Sequence, residues 1–326
     1  YVFKGWSLTQ DAIAADADLG TMNSTEGVTI YAVWVPTFTV MFVKNGHGSD
    51  VESQTVESGS NAVKPDDLSE TGYTFAGWFT DDGTFENAYE FSSAVTADVT
   101  LYAKWTAAEV NYTVKTCTME TDGTYDENKC SSTTKQGVTG TSADATPASF
   151  ETGFELDSEK STLTGTVTAD GSLALSVYIK RIAYTITFVN YDNAQLQSSD
   201  FLYGATPVYS AAEPAKAADA QYTYAFAGWN PEITEVTGAA TYTAQFTPTP
   251  VSYALAWDFA GGTAKSGYTA AGQVAYGTTL EIPEMEREGY GFQGWNPEAP
   301  VTMPANNLTL TATWAPNQYA VKFETN

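Results

Sequence analysis

The chain has 326 residues, 43% hydrophobic and 13% aromatic, and carries 39 acids against 14 bases for a net charge of −25. The length is more than one ordinary domain needs, and the apolar content is enough to fold. The charge argues against nucleic acid and anionic membrane surfaces as partners, because both are held mainly through Lys and Arg. It favours solubility and mutual repulsion between copies. No apolar run approaches the roughly 18 residues of a membrane span, so no membrane insertion is expected in this segment. Thr, Ser, Ala, Val, Tyr and Gly dominate, which reads as β structure.

In chain order, Tyr1-Val2-Phe3-Lys4-Gly5-Trp6 opens residues 1–36, which end in the strand Val28 to Trp34. Residues 37–107 start with the strand Phe38 to Val43, turn at Gly46–Gly48, and continue with a strand near Gln54–Val56. Pro65-Asp66-Asp67-Leu68 is expected to start one short helical turn, with an acid near its N-terminus. Gly72-Tyr73-Thr74-Phe75-Ala76-Gly77-Trp78 follows, then an acidic loop at Asp81-Asp82-Gly83 and a closing strand from Val99 to Trp105. Tyr224 to Trp229 and Gly289 to Trp295 repeat the aromatic stretch inside residues 182–248 and 249–316. On a strand, Tyr73 and Phe75 share a face, and Gly77 allows a sharp backbone change before Trp78. The closing strands align in phase, with Ile30/Ala32/Trp34, Leu101/Ala103/Trp105, Tyr242/Ala244/Phe246 and Leu310/Ala312/Trp314 as apolar faces. Such alternation implies antiparallel or mixed sheets with one wet face. Residues 108–181 lack Gly-Trp but fit the spacing: Trp6 and Trp78 lie 72 apart, and Trp78 and Trp229 lie 151 apart, room for two periods. Residues 317–326 read as the first strand of a further repeat. The linkers Val35-Pro36, Ala107-Ala108-Glu109 and Thr247-Pro248-Thr249-Pro250 are short, and proline stiffens two of them.

The strand pattern Tyr-x-Val/Ile-x-Phe, then Gly-Tyr-x-Phe-x-Gly-Trp, then Leu-Tyr-Ala-x-Trp resembles the Listeria–Bacteroides repeat, the B-repeat of internalin-type surface proteins. Residues 108–181, with Asp122-Gly123-Thr124-Tyr125 and Gly165 to Gly171, are similar to mucin-binding-protein-like repeats. The resemblance implies a mainly β (α+β) chain of tandem small β-grasp-like repeats in an extended rod. It also implies a stalk of an extracellular, secreted adhesin, at the cell surface or attached to the cell wall, of the kind that forms a filament. The partners would be further repeats of the same polypeptide, and a host-surface or glycan ligand held by a head domain elsewhere. The alternative is a binding module, in which one repeat recognises glycan or host protein. Exposed aromatics in a single repeat would favour that alternative. Joining the tail strand to the head half-repeat leaves a second strand missing, so a window on a longer polypeptide is expected over polymerisation by strand donation.

No enzymatic site and no cofactor are expected. His47 is the single histidine, so a metal site or a Ser-His-Asp site lacks partners. Asp81-Asp82-Gly83 and Asp122-Gly123 are fragments of calcium-loop patterns, and turn chemistry accounts for both. Trp6, Trp34, Trp78, Trp105, Trp229, Trp295 and Trp314 could stack on sugar rings, but their recurrence at apolar positions favours a core role. Cys117 and Cys130 flank the Asp122-Gly123 turn, and a hairpin centred at Gly123/Thr124 would set them opposite each other. A disulfide is expected there, with two free thiols as the alternative. Asn23-Ser24-Thr25, Asn111-Tyr112-Thr113 and Asn307-Leu308-Thr309 match the N-glycosylation pattern, at a frequency near chance for a Ser/Thr-rich chain.

Overall fold

The structure is a computed structural model that describes residues 1–16, 18–20 and 27–324. Among these there is no α-helix, only a 3-10 turn at Glu127–Lys129. The chain divides into two compact units, residues 1–120 with 124–180, and residues 121–123 with 181–326.

In the first unit, β1 (Val2–Ser7) and β2 (Tyr31–Val35) form an antiparallel hairpin. β3 (Thr37–Val43), β4 (Gln54–Glu57), β5 (Tyr73–Phe79) and β6 (Val99–Ala107) follow. They make a four-stranded sheet in the order β4-β3-β6-β5. The central pair β3/β6 is parallel and both outer pairs are antiparallel. Next come β7 (Glu109–Thr118), β8 (Ser131–Val138), β9 (Ser142–Asp144), β10 (Phe154–Leu156), β11 (Thr164–Thr166) and β12 (Ala174–Arg181). Their main sheet runs β10-β12-β7-β8, with β7 and β12 parallel. The order of first, second, third and last strand is therefore the same, although this stretch lacks the Gly-Trp signature. A small β9/β11 ladder is added.

In the second unit, β13 (Ala183–Val189), β14 (Gln195–Leu202), β15 (Tyr222–Asn230) and β16 (Ala240–Pro250) form the sheet β14-β13-β16-β15. β17 (Ser252–Asp258), β18 (Thr263–Ala264), β19 (Gly272–Ala275), β20 (Met285–Glu286), β21 (Tyr290–Asn296) and β22 (Leu308–Pro316) complete the chain. Their main sheet runs β19-β17-β22-β21, and β18 pairs with β20. Each four-stranded sheet has its own apolar core. Val40, Trp78, Leu101 and Ala103 centre the first, Tyr112, Val114, Leu175 and Val177 the second, Ile186, Phe188 and Tyr242 the third, and Leu255, Met303 and Leu310 the fourth.

Three sequence expectations differ from the structure. Residues 317–324, expected to hold the first strand of a further repeat, form no strand, and no described strand lies beside them to pair with. Residues 62–69 are irregular, with no helical turn at Pro65–Leu68. A single isolated turn costs more to nucleate than its few hydrogen bonds return. The segment between the second and third strands holds no α-helix in any of the four repeats, and in two of them it carries a short strand, β9 or β20. Thr247-Pro248-Thr249-Pro250 is not a linker. It is the end of β16, paired with β15 from Tyr222↔Pro250 to Ala225↔Thr247. β13 pairs only with Ala240–Thr243, so there is no second ladder here for the prolines to interrupt.

Candidate functional site

The recurring aromatic stretch is a bulged edge strand. Register against the closing strand shifts at Phe75/Gly77, Phe226/Gly228, Phe292/Gly294 and Phe3/Gly5. The bulge glycine has φ of 111° at Gly77, 112° at Gly228, 117° at Gly294 and 130° at Gly5, a region that L side chains avoid. Without the extra residue, Phe75 and Trp78 would point to opposite faces. With it they meet edge-on, 5.6 Å apart, and the other copies match at 5.3 to 5.6 Å. The spacing Phe-x-Gly-Trp is thus the sequence form of a bulge that turns two aromatics to one face.

The expected core tryptophans do not share one environment. Trp78 is 3% exposed, and Trp105, Trp229, Trp295 and Trp314 are half-buried. The Trp105 indole N–H donates to the Lys44 carbonyl at 2.9 Å, and that of Trp314 to the Phe259 carbonyl at 3.1 Å. This bond pins the closing strand to the turn after the first strand. Trp6 and Trp34 depart from the expected core role: they are 44% and 56% exposed. The cause is local. The β1/β2 hairpin has the right register, Trp6↔Ala32 and Phe3↔Trp34, but among the described residues no further strand lies beside β2. Its Ile30/Ala32/Trp34 face is mostly open. Val33, on the other face, is the buried residue, and its partner Gly5 packs against Ala15.

The other candidates are occupied by the fold. The Asp81 carboxylate accepts from the Thr84 hydroxyl, from the Glu86 N–H at 2.9 Å and from the Asn87 N–H at 2.8 Å. These donors, Thr84 first, hold its pKa down at about 2, so both carboxylate oxygens already serve the loop. His47 lies 4.0 Å from the Tyr73 ring, Lys216 Nζ 3.8 Å from the Tyr224 ring and the Arg287 guanidinium 4.0 Å from the Tyr290 ring. A nitrogen-bearing side chain therefore covers the motif tyrosine in three repeats. Tyr191 is 47% exposed, with Lys216 Nζ 5.1 Å from its ring. Asn111 lies on β7, Asn307 accepts from the Ala254 N–H at 3.0 Å, and Asn23 falls outside the described residues.

In the repeat without Gly-Trp, the Cys117 and Cys130 sulfurs are bonded across the start of the β7/β8 ladder. The loop they close carries Tyr125, whose hydroxyl donates to Asp157 at 3.0 Å, and Glu127, which accepts from Tyr178 at 2.9 Å and from Lys115. Burial first, then the Asp157 bond, pushes the Tyr125 phenol up, and Lys115 pulls the Glu127 carboxyl down. Nothing in the sequence joined Tyr125 to Asp157, which are far apart in the chain.

Two of the joints fall at the expected linkers Val35-Pro36 and Ala107-Ala108-Glu109, but how they are held was not legible in the sequence. Within each unit, one residue separates the closing strand of a repeat from the first strand of the next: Pro36, Ala108 and Val251. Ala108 donates to the Gly72 carbonyl at 2.9 Å and accepts from the Thr139 N–H at 3.0 Å. Val251 donates to the Gln221 carbonyl at 2.9 Å and accepts from the Tyr276 N–H at 2.8 Å. Pro36 has no N–H, but its carbonyl accepts from Ser58 at 2.8 Å. Each link is thus tied to the repeat behind it, to the one ahead, or to both. Side chains add to this. Tyr222 meets Tyr276 edge-on at 5.7 Å, and a Cβ on Gly72 would fall 2.5 Å from that of Ala169.

Residues 38–104 match the Listeria-Bacteroides repeat domain family, and residues 255–318 match the divergent InlB B-repeat domain family. Two stretches of the chain are thus similar to B-repeat domains. Both matches fall on sheets with the bulged Gly-Trp strand. The chain is 40% identical over 116 residues to a putative membrane protein of Evansella cellulosilytica, covering 34% of this chain and 16% of that protein. It is 38% identical over 108 residues to a putative Gly-rich membrane protein of the same organism, covering 32% of this chain and 12% of that one. The chain therefore spans under a fifth of either relative. Streptococcal High Identity Repeats in Tandem (SHIRT) domains 3-4 from a cell surface protein align with 42% of this chain and 99% of theirs, at 15% identity and a TM-score of 0.17.

Proposed function

We propose that this chain is a non-enzymatic structural stalk segment of a large extracellular repeat protein, at the cell surface or attached to the cell wall, whose B-repeats hold a distal binding domain away from that surface. The working units are residues 37–107, 108–181, 182–248 and 249–316, the second being mucin-binding-protein-like in sequence. One observation carries the reading: the single-residue links Ala108 and Val251 are hydrogen-bonded on both sides, so little backbone is left to swivel. The charge of −25 supports it, since mutual repulsion keeps such segments apart from one another.

The test uses the whole chain with spin labels on Asp192→Cys and Glu298→Cys, both exposed and on either side of Val251. The native cysteines are bonded to each other, so labelling is selective. The stalk predicts one narrow distance distribution, unchanged between low and high salt. A broad distribution would contradict it.

A further inference from the structure

In every four-stranded sheet of this chain, the strand by which the chain enters and the strand by which it leaves lie side by side and parallel. The pairs are Val40–Val43 with Val99–Tyr102, Thr113–Thr118 with Ala174–Ile179, Ile186–Val189 with Ala240–Thr243, and Leu255–Asp258 with Leu308–Thr311. A pull on the chain drags the first strand toward its N-terminal end and the last toward its C-terminal end. In a parallel pair those directions are opposite along one ladder. The ladder is then loaded in shear, and its evenly spaced hydrogen bonds share the force. Antiparallel entry and exit strands would instead be peeled, one bond at a time.

We propose that these repeats are built to bear tension, with the parallel pair of first and last strands in each acting as a shear clamp. This builds on the stalk reading, which places the repeats between an anchor and a load. The clamps sit directly over the cores, where water is excluded from the bonds that must hold. Val40 and Leu101 are fully buried in the first, and Leu255 and Leu310 are 2% and 0% exposed in the last. The links pass force straight from one clamp to the next, because each closing strand leads through a single residue into the following first strand.

The clamps are not equal. β7/β12 pairs six residues where the other three pair four. Its entering strand also holds the cystine to Cys130, so the chain between the two sulfurs cannot pay out under load. The repeat at 108–181 is therefore the last to yield. When it yields, its extension falls short by about 45 Å, the reach of the 13-residue separation, until the disulfide is reduced.

Single-molecule pulling of the whole chain tests this, because forced unfolding reads the unfolding rate along the loaded direction. Tethered at its two ends, the chain should give discrete steps at high force. Tethered through Ser252→Cys and Asn306→Cys, exposed positions at the same end of the β17/β22 pair, that repeat should yield at several-fold lower force. Thr37→Cys with Ala97→Cys repeats the comparison on β3/β6, so a variant that fails to fold does not remove the test. A reductant should lengthen one step alone, the last. Equal forces in the two pulling directions in both repeats, or a 108–181 step that comes first, would overturn the inference. Low force with a narrow spin-label distance across Val251 sinks the clamp and leaves the stalk standing. A broad distance sinks the stalk whatever the force.

Discussion

The β1/β2 hairpin and the β5/β6 hairpin share a motif, a register and a bulge, yet they end in different surroundings. In both, Phe sits opposite Trp and Gly opens the bulge. Trp78 is 3% exposed and Trp6 is 44% exposed. The motif therefore specifies the hairpin and turns its aromatics to one face. Burial of that face comes from β3, β4 and the coil that returns over the sheet, which the first hairpin lacks among the described residues.

The largest effect that can break this comparison is truncation of the two equivalent rings. Trp78→Ala should destabilise residues 37–107 by about 3–5 kcal/mol, as for a buried aromatic. Trp6→Ala should change stability by less than about 1 kcal/mol, as for a surface site. Denaturant unfolding followed by hydrogen exchange resolved along the chain would separate the two. Equal losses would show that the hairpin carries its own core.

Next in size is the repeat that replaces Gly-Trp with a cystine. Cys117→Ser with Cys130→Ser should lower the stability of residues 108–181 by about 3 kcal/mol, from loop entropy alone. The neighbouring Gly-Trp repeats should keep their melting transitions. Peptide mass spectrometry without reductant reports the bond itself, and free thiols there would remove this contrast.

The bulge glycine gives a smaller effect. Gly77→Ala places a side chain at φ 111° with nothing closer than 3.9 Å, so the loss is conformational, about 1–3 kcal/mol. It should appear in the melting of residues 37–107. No change would mean that the bulge does not need glycine.

The alternation of Leu101/Ala103 and Leu310/Ala312 was legible because a closing strand has one wet face and one dry face, and the side chains record it. Phe-x-Gly-Trp was legible as a special strand, but the bulge required the partner register. The exposure of Trp6 and Trp34 was not legible, because a ring's burial depends on strands distant in sequence. The acids at Asp66-Asp67 suggested a helix start, but one isolated turn is costly to nucleate. Pro248 and Pro250 read as a linker because proline is rare in strands, and here the strand has a partner on one side only. The links at Ala108 and Val251 carry no motif, since their bonds are made by backbone.

The smallest effect is electrostatic and confined to one loop. The Asp81 pKa is lowered, so its stabilising bonds are complete above its unperturbed value of about 3.9 and are lost as pH falls toward about 2. Residues 81–87 should lose their amide protection in that window, while the sheet of residues 37–107 stays folded. Asp81→Asn should remove most of the pH dependence.

The measurement that bears most directly on the account is amide hydrogen exchange at Ala108 and Val251 in the whole chain. Both N–H groups donate across a repeat joint. If the joints are closed structures, these two amides exchange as slowly as those of the adjoining strands, through unfolding of a neighbouring repeat. Exchange as fast as in the exposed turn at Asp82-Gly83 would mean open hinges, and would contradict the stalk.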